Sequence, residues 1–131
     1  MKTIEMYTDG AAISNPNGFA GAGIVLLYNG VKKEFAIPLG INSNFRAELC
    51  AIIEGLKLLK EPCTVHLFSD AQVVIDIING DKQASSNLDL WKDYRFASSE
   101  HKVIATWIRK DSNEWNKVAH KLANQAAYSQ R

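Results

Sequence analysis

A chain of 131 residues is long enough to bury one hydrophobic core and too short for two, so residues 1–131 are read as a single domain. Fifteen Lys and Arg against fourteen Asp and Glu leave a formal charge of +1, which supplies no global field to gather a polyanion; any nucleic-acid contact has to come from a local surface. No apolar run approaches the ~20 residues that span a bilayer, the N-terminus lacks a signal-peptide pattern, and Cys50 and Cys63 lack metal-ligand spacing, so no membrane partner, free buried thiols and the cytoplasm are expected.

Apolar and polar residues alternate from Thr3 to Thr8, which predicts a strand ending at Asp9-Gly10. Asn15-Pro16-Asn17-Gly18 and two further glycines read as a turn between Ala11 and Gly23, with a second strand over Gly23 to Tyr28. Asn29-Gly30 is a hairpin signal before a third strand, Val31 to Pro38. From Asn42 the period changes: Phe45, Leu49, Ile52, Leu56 and Leu59 step by four, three, four and three. That is the stripe of a helix packed on a sheet, capped by Asn42 or Ser43 and closed by Glu61-Pro62. Thr64 to Ser69 is a short strand ending at Asp70, followed by a brief helix through Val73, Ile77 and Ile78 that stops near Asn79-Gly80. Asp81 to Asn87 is a polar loop, Leu88 to Ser98 a helix and Val103 to Ile108 a strand. Asn113 to Tyr128 forms a final helix with Trp115, Val118, Ala119, Leu122, Ala123 and Ala126 inward. This order predicts an α/β fold, a mixed sheet flanked by helices on both faces.

Three carboxylates stand out: Asp9, Glu48 and Asp70. Each alone has an ordinary use, as an Asp-Gly turn, a solvated helix charge and a helix cap. Together they occupy places where apolar elements meet a crevice at strand ends. Gathered acids repel one another unless divalent cations neutralise them, and oxygen donors without Cys or His spacing suit Mg²⁺ or Mn²⁺ rather than zinc. A pair of such ions can clamp a phosphodiester, one activating water and the other stabilising the leaving oxygen. Gly18-x-x-Gly21-x-Gly23 precedes a strand instead of opening a helix, which excludes a dinucleotide loop, and no serine or cysteine has the histidine neighbour of a covalent nucleophile.

Several segments occur in a telling order: Thr8-Asp9-Gly10 with Asn15-Pro16 and Gly18, then Ser43-Asn44-Phe45-Arg46-Ala47-Glu48, then Ser69-Asp70-Ala71-Gln72. Asn116, Ala119, His120, Leu122 and Ala123 follow on the last helix. In these the chain resembles the type 1 ribonuclease H family, whose members cut the RNA strand of RNA/DNA hybrids. The resemblance implies a ribonuclease H-like, five-stranded mixed sheet, three antiparallel strands then two parallel. It implies an endonuclease that uses two divalent ions, Mg²⁺ or Mn²⁺, needs no organic cofactor and leaves 5′-phosphate and 3′-hydroxyl ends. Asp9 would bridge both ions, with Glu48 and Asp70 completing the site nearer the leaving oxygen. Asn15, Ser43, Asn44 and Gln72 would touch the hybrid. The oligomeric state stays open.

Two departures from the family pattern carry expectations. The fourth family ligand, an aspartate, aligns with His120, whose neutral imidazole removes a charge but keeps a lone pair. His120 is therefore expected to line the acidic site as a catalytic, metal-ligating residue and to favour Mn²⁺. The segment Arg109-Lys110-Asp111-Ser112-Asn113-Glu114 lacks the family's loop histidine, which implies slow turnover. An alternative is a hybrid-binding module of the same fold with weak or no catalysis. Gly80 to Leu90 holds Lys82 as its one cation, so Arg46, Lys92, Arg109, Lys110 and Lys117 are expected to aid binding. His66 and His101 are read as structural or surface residues.

Overall fold

Successive side chains of a strand point to opposite faces, and in β1 (Lys2–Ala12) both sets are buried: Ile4 and Met6 on one face, Tyr7 and Asp9 on the other. A strand covered twice needs layers on both sides. The structure, a computed structural model, describes residues 1–14 and 17–131. It shows that sandwich: β1, β2 (Gly18–Tyr28), β3 (Val31–Asn42), α1 (Asn44–Lys57), β4 (Cys63–Ser69), α2 (Gln72–Ile78), α3 (Leu88–Ser98), β5 (Lys102–Trp107) and α4 (Glu114–Tyr128). The five strands lie in the order β3-β2-β1-β4-β5; the β3-β2-β1 part is antiparallel and the β1-β4-β5 part parallel.

The larger core forms where α1, α2 and α3 lie on one face, with Met6, Ile24, Val65 and Leu67 meeting Leu49, Ile52, Leu56, Val74 and Trp91. On the other face α4 packs on Tyr7 and Val25 through Ala119, with Trp115, Val118 and Leu122 around them. The apolar alternation, the change of period near Asn42 and the hairpin at Asn29-Gly30 are all realised. Both turn residues there have positive φ, 49° and 75°, the twist a two-residue hairpin requires.

Four boundaries differ from expectation, the simplest being β3, which runs past Pro38 to Asn42 because its pairing with β2 continues to Gly18–Asn42. β1 does not end at Asp9: pairing with β2 continues through Asp9–Gly23 and Gly10–Ala22 to Ala12–Ala20. Nor does β2 begin at Gly23. It starts at Gly18, because Gly21 and Gly23, which look like turn signals, are strand residues lying under the backbone of α4. A Cβ on Gly23 would stand 1.9 Å from the Ala119 carbonyl oxygen. Helix α1 stops at Lys57, ahead of Glu61-Pro62, where Leu58 and Leu59 donate to the carbonyls of Gly55 and Leu56 and tighten the last turn.

Candidate active site

The site begins where two parallel strands part. β1 and β4 pair from Lys2–Cys63 to Tyr7–Phe68, and beyond that point β1 keeps only β2 while β4 ends. Asp9 and Asp70 each lie two residues past the last parallel pair, so both carboxylates meet at the fork. Helix α1 brings the third acid. It approaches β1 so closely at Gly10 that a Cβ there would stand 2.2 Å from the Ala47 carbonyl carbon. This contact lets the Gly10 N–H donate to Glu48 Oε1. Carboxylate oxygens of Asp9, Glu48 and Asp70 all lie within 4.8 Å of one another.

Burial and crowding define the electrostatics. Asp9 is 4% exposed, and its carboxyl is pushed up from the usual range, first by desolvation and then by the charge of Asp70. Hydrogen bonds from Glu48 and His120 pull it partly back. Glu48 is pushed well above its usual 4.5 by burial and then by Asp9. A set of hard oxygen donors that holds its negative charge only at a cost fits a divalent cation, which would remove that cost.

That cost yields a stability prediction with a definite sign. A carboxyl whose folded pKa exceeds its unfolded value holds its proton more tightly when folded, so stability falls as pH rises from about 4.5 through the raised value and stays lower above it. Asp9, shifted in the same direction, adds to the fall. Glu48→Gln keeps an oxygen for the Gly10 N–H but no ionisation. Calorimetry of the chelator-treated protein at pH 8 should show the variant melting higher than the parent, by roughly 4 °C for each kcal/mol recovered. A variant that melts lower at pH 8 and no differently at pH 4 would rule out the repulsion.

Asp70 is not the cap of α2. Ala71 occupies the cap position without a side-chain bond, and the Ala71 N–H donates to Ser69 Oγ at 3.1 Å. Two side chains hold Asp70 instead: Trp107 Nε1–H donates to its carbonyl at 3.2 Å, and Asn116 Nδ2 reaches its Oδ2 at 3.4 Å. Asn116 is 1% exposed, and its Oδ1 accepts from the Asp111 N–H, tying the segment before α4 to the acid. Trp107 carries no sequence signal beyond an aromatic at a strand end. Asn116 is signalled in the sequence by its place among the family-resembling residues of the last helix.

His120 faces the acids. Its Nδ1 lies 2.8 Å from Asp9 Oδ2, and its Nε2 lies 3.1 Å from Asn124 Nδ2. It reaches the trio through Asp9, while the close convergence of oxygens belongs to the three carboxylates.

The expected substrate residues are placed as follows. Ser43 Oγ caps α1 by accepting from the Arg46 N–H, and Asn44 Oδ1 accepts from the Ala12 N–H at 3.0 Å, joining α1 to the end of β1. Gln72 is exposed at the start of α2, and Asn15 lies outside the described residues. Arg46 differs from expectation as a free cation: it grips both oxygens of Asp89, at 3.2 and 2.9 Å, and Asn87 Oδ1 at 3.0 Å. Lys92, Arg109, Lys110 and Lys117 are exposed. His101 is structural, accepting from the Cys63 N–H through Nδ1 at 3.1 Å, and both cysteines are free thiols. Among the described residues no helix is long and apolar enough to cross a membrane.

Sheet order, the forked parallel pair and the acid trio define the ribonuclease H-like class of fold. The RNase H family model matches residues 1–128. The ribonuclease H of Campylobacter jejuni (strain 81-176) is 39% identical, the alignment covering 97% of this chain and 92% of the relative. That of Thermoanaerobacter sp. (strain X514) is 40% identical, covering 93% and 88%. Among solved structures, LC9-RNase H1, a type 1 RNase H with the type 2 active-site motif, matches at a TM-score of 0.86 and 23% identity, covering 100% of this chain and 74% of that one. LC11-RNase H1 in complex with RNA/DNA hybrid matches at 0.82 and 23%, covering 97% and 98%. The chain belongs to the type 1 ribonuclease H family.

Proposed function

We propose that this ribonuclease H hydrolyses the RNA strand of RNA/DNA hybrids as an endonuclease. The observation that carries this is the convergence of Asp9, Glu48 and Asp70 at the strand fork of a chain that belongs to the family. In the reaction a water oxygen bonds to phosphorus and the bond to the 3′ oxygen breaks, which leaves a 5′-phosphate and a 3′-hydroxyl.

Asp9, Glu48 and Asp70 would hold divalent cations, Mg²⁺ or Mn²⁺, two in number, with His120 at the fourth position. When bound, such ions supply positive charge that acidifies water and neutralises phosphate oxygens. The chain's own part is to keep the acids in place. Gly10 N–H orients Glu48, Asn116 and Trp107 fix Asp70, and His120 holds Asp9. Asn44, Gln72 and Asn15 would meet the hybrid along its minor groove, where 2′-hydroxyls and A-like shape are read without base recognition, and Ser43 would contact a phosphate of the DNA strand. The free thiols support a reducing compartment, the cytoplasm.

A labelled-hybrid assay tests the reading. Metal-dependent cutting confined to the RNA strand is expected, faster in Mn²⁺ than in Mg²⁺. His120→Ala should cut about 10- to 100-fold more slowly and lose the preference for Mn²⁺. Equal rates with both ions and an unaffected His120→Ala would remove His120 from the site. Hybrid that is bound but never cut would make the chain a binding module, a reading favoured by a fourth residue that is not an acid and by the absence of histidine from Arg109 to Glu114.

A further inference from the structure

The imidazole of His120 is held at both nitrogens, by Asp9 at Nδ1 and by Asn124 at Nε2. A neutral imidazole offers one donor and one acceptor, and which nitrogen carries the proton depends on the tautomer. With the proton on Nδ1, the ring donates to a carboxylate and Nε2 accepts from the Asn124 amide. With the proton on Nε2, the Nδ1 lone pair faces the acids.

For Nδ1 to serve a cation, the proton has to be on Nε2, and Nε2 then needs an acceptor. Asparagine is suited to this. Its amide has a donating end and an accepting end at nearly the same place, and turning it over exchanges one for the other. Asp or Glu there could only accept and Lys or Arg only donate. Asn124 lies one turn beyond His120 on α4, half-buried, so the pair keeps its spacing whichever way the amide faces.

We propose that Asn124 is a positioning residue which, by pairing with either protonation pattern of Nε2, holds the His120 ring so that Nδ1 stays at the carboxylate site. The inference rests on the reading of that site as one for divalent cations. Histidine alone is not the replacement for the family's acid; the replacement is a histidine with an amide one helical turn behind it.

One measurement tests this on the full chain. Calorimetric titration with Mn²⁺ alone, without substrate, should show about 10-fold weaker uptake in Asn124→Ala, as for other residues that orient a ligating histidine. In a His120→Ala background the same change should have no further effect, because the two residues act as one unit. Unchanged Mn²⁺ affinity in Asn124→Ala, or an equal loss with and without His120, overturns the proposal, and either result leaves the nuclease reading standing. A parent protein that takes up no Mn²⁺ would bring down both.

Discussion

Asp9→Asn is expected to reduce hybrid cleavage by about 10³-fold or more, equivalent to ~4 kcal/mol of transition-state stabilisation, while the chain stays folded. The reason is position. Asp9 is the most buried of the three acids, stands beside both of the others, and is the one that His120 touches. An amide is nearly isosteric and can still meet His120, but it cannot supply the negative charge that makes the fork attractive to cations. Asp70→Asn should show a similar loss, since it takes a second charge from the same small volume. Far-ultraviolet circular dichroism and the melting temperature distinguish lost chemistry from lost structure. A folded Asp9→Asn protein that still cuts within tenfold of the parent would mean that the acid cluster is not where the reaction happens.

Gly23→Ala carries the largest expected cost in stability. The new Cβ would lie 1.9 Å from the Ala119 carbonyl oxygen and 2.7 Å from the Ala123 nitrogen, and both are helix backbone that cannot swing aside as a side chain would. α4 has to lift from β2, with a loss of about 3 kcal/mol and a melting temperature lower by roughly 10 °C. The displaced turn is the one that carries His120 to Asp9. Activity measured well below the melting point should therefore fall as well. Gly30→Ala is the control: nothing lies within 4 Å of its Cβ, and its φ of +75° costs only about 1 kcal/mol. Equal effects of the two substitutions would mean that close packing of α4 is not what Gly23 provides.

Much of this architecture is legible in the sequence because it rests on local rules. Alternation in Ile4, Met6 and Thr8, the stripe from Phe45 to Leu59, and Asn29-Gly30 each report a backbone period or a turn that depends on neighbours in the chain. The three acids are legible for a related reason, since Asp9 and Asp70 stand where such a pattern ends and Glu48 stands in the early turns of the helical stripe. What is not legible depends on contacts across the fold. Gly21 and Gly23 look like a turn because nothing nearby in sequence announces that a helix a hundred residues later will lie on them. Arg46 looks like a free cation until Asp89, 43 residues away, closes on it. The bond from Trp107 to the Asp70 carbonyl spans 37 residues and leaves no periodic trace. His120 is found through family resemblance rather than through its own surroundings, and the role of Asn124 needs the two ring contacts to be seen together.

The fork between β1 and β4 also bears on how the molecule matures. Its three acids come from segments that meet only after the parallel pair has zipped to Tyr7–Phe68 and α1 has settled on Gly10. A nascent chain that has emerged only as far as Glu48 owns two of the charges and no crevice to concentrate them. A cation site built from these acids would therefore form late, only on a finished topology.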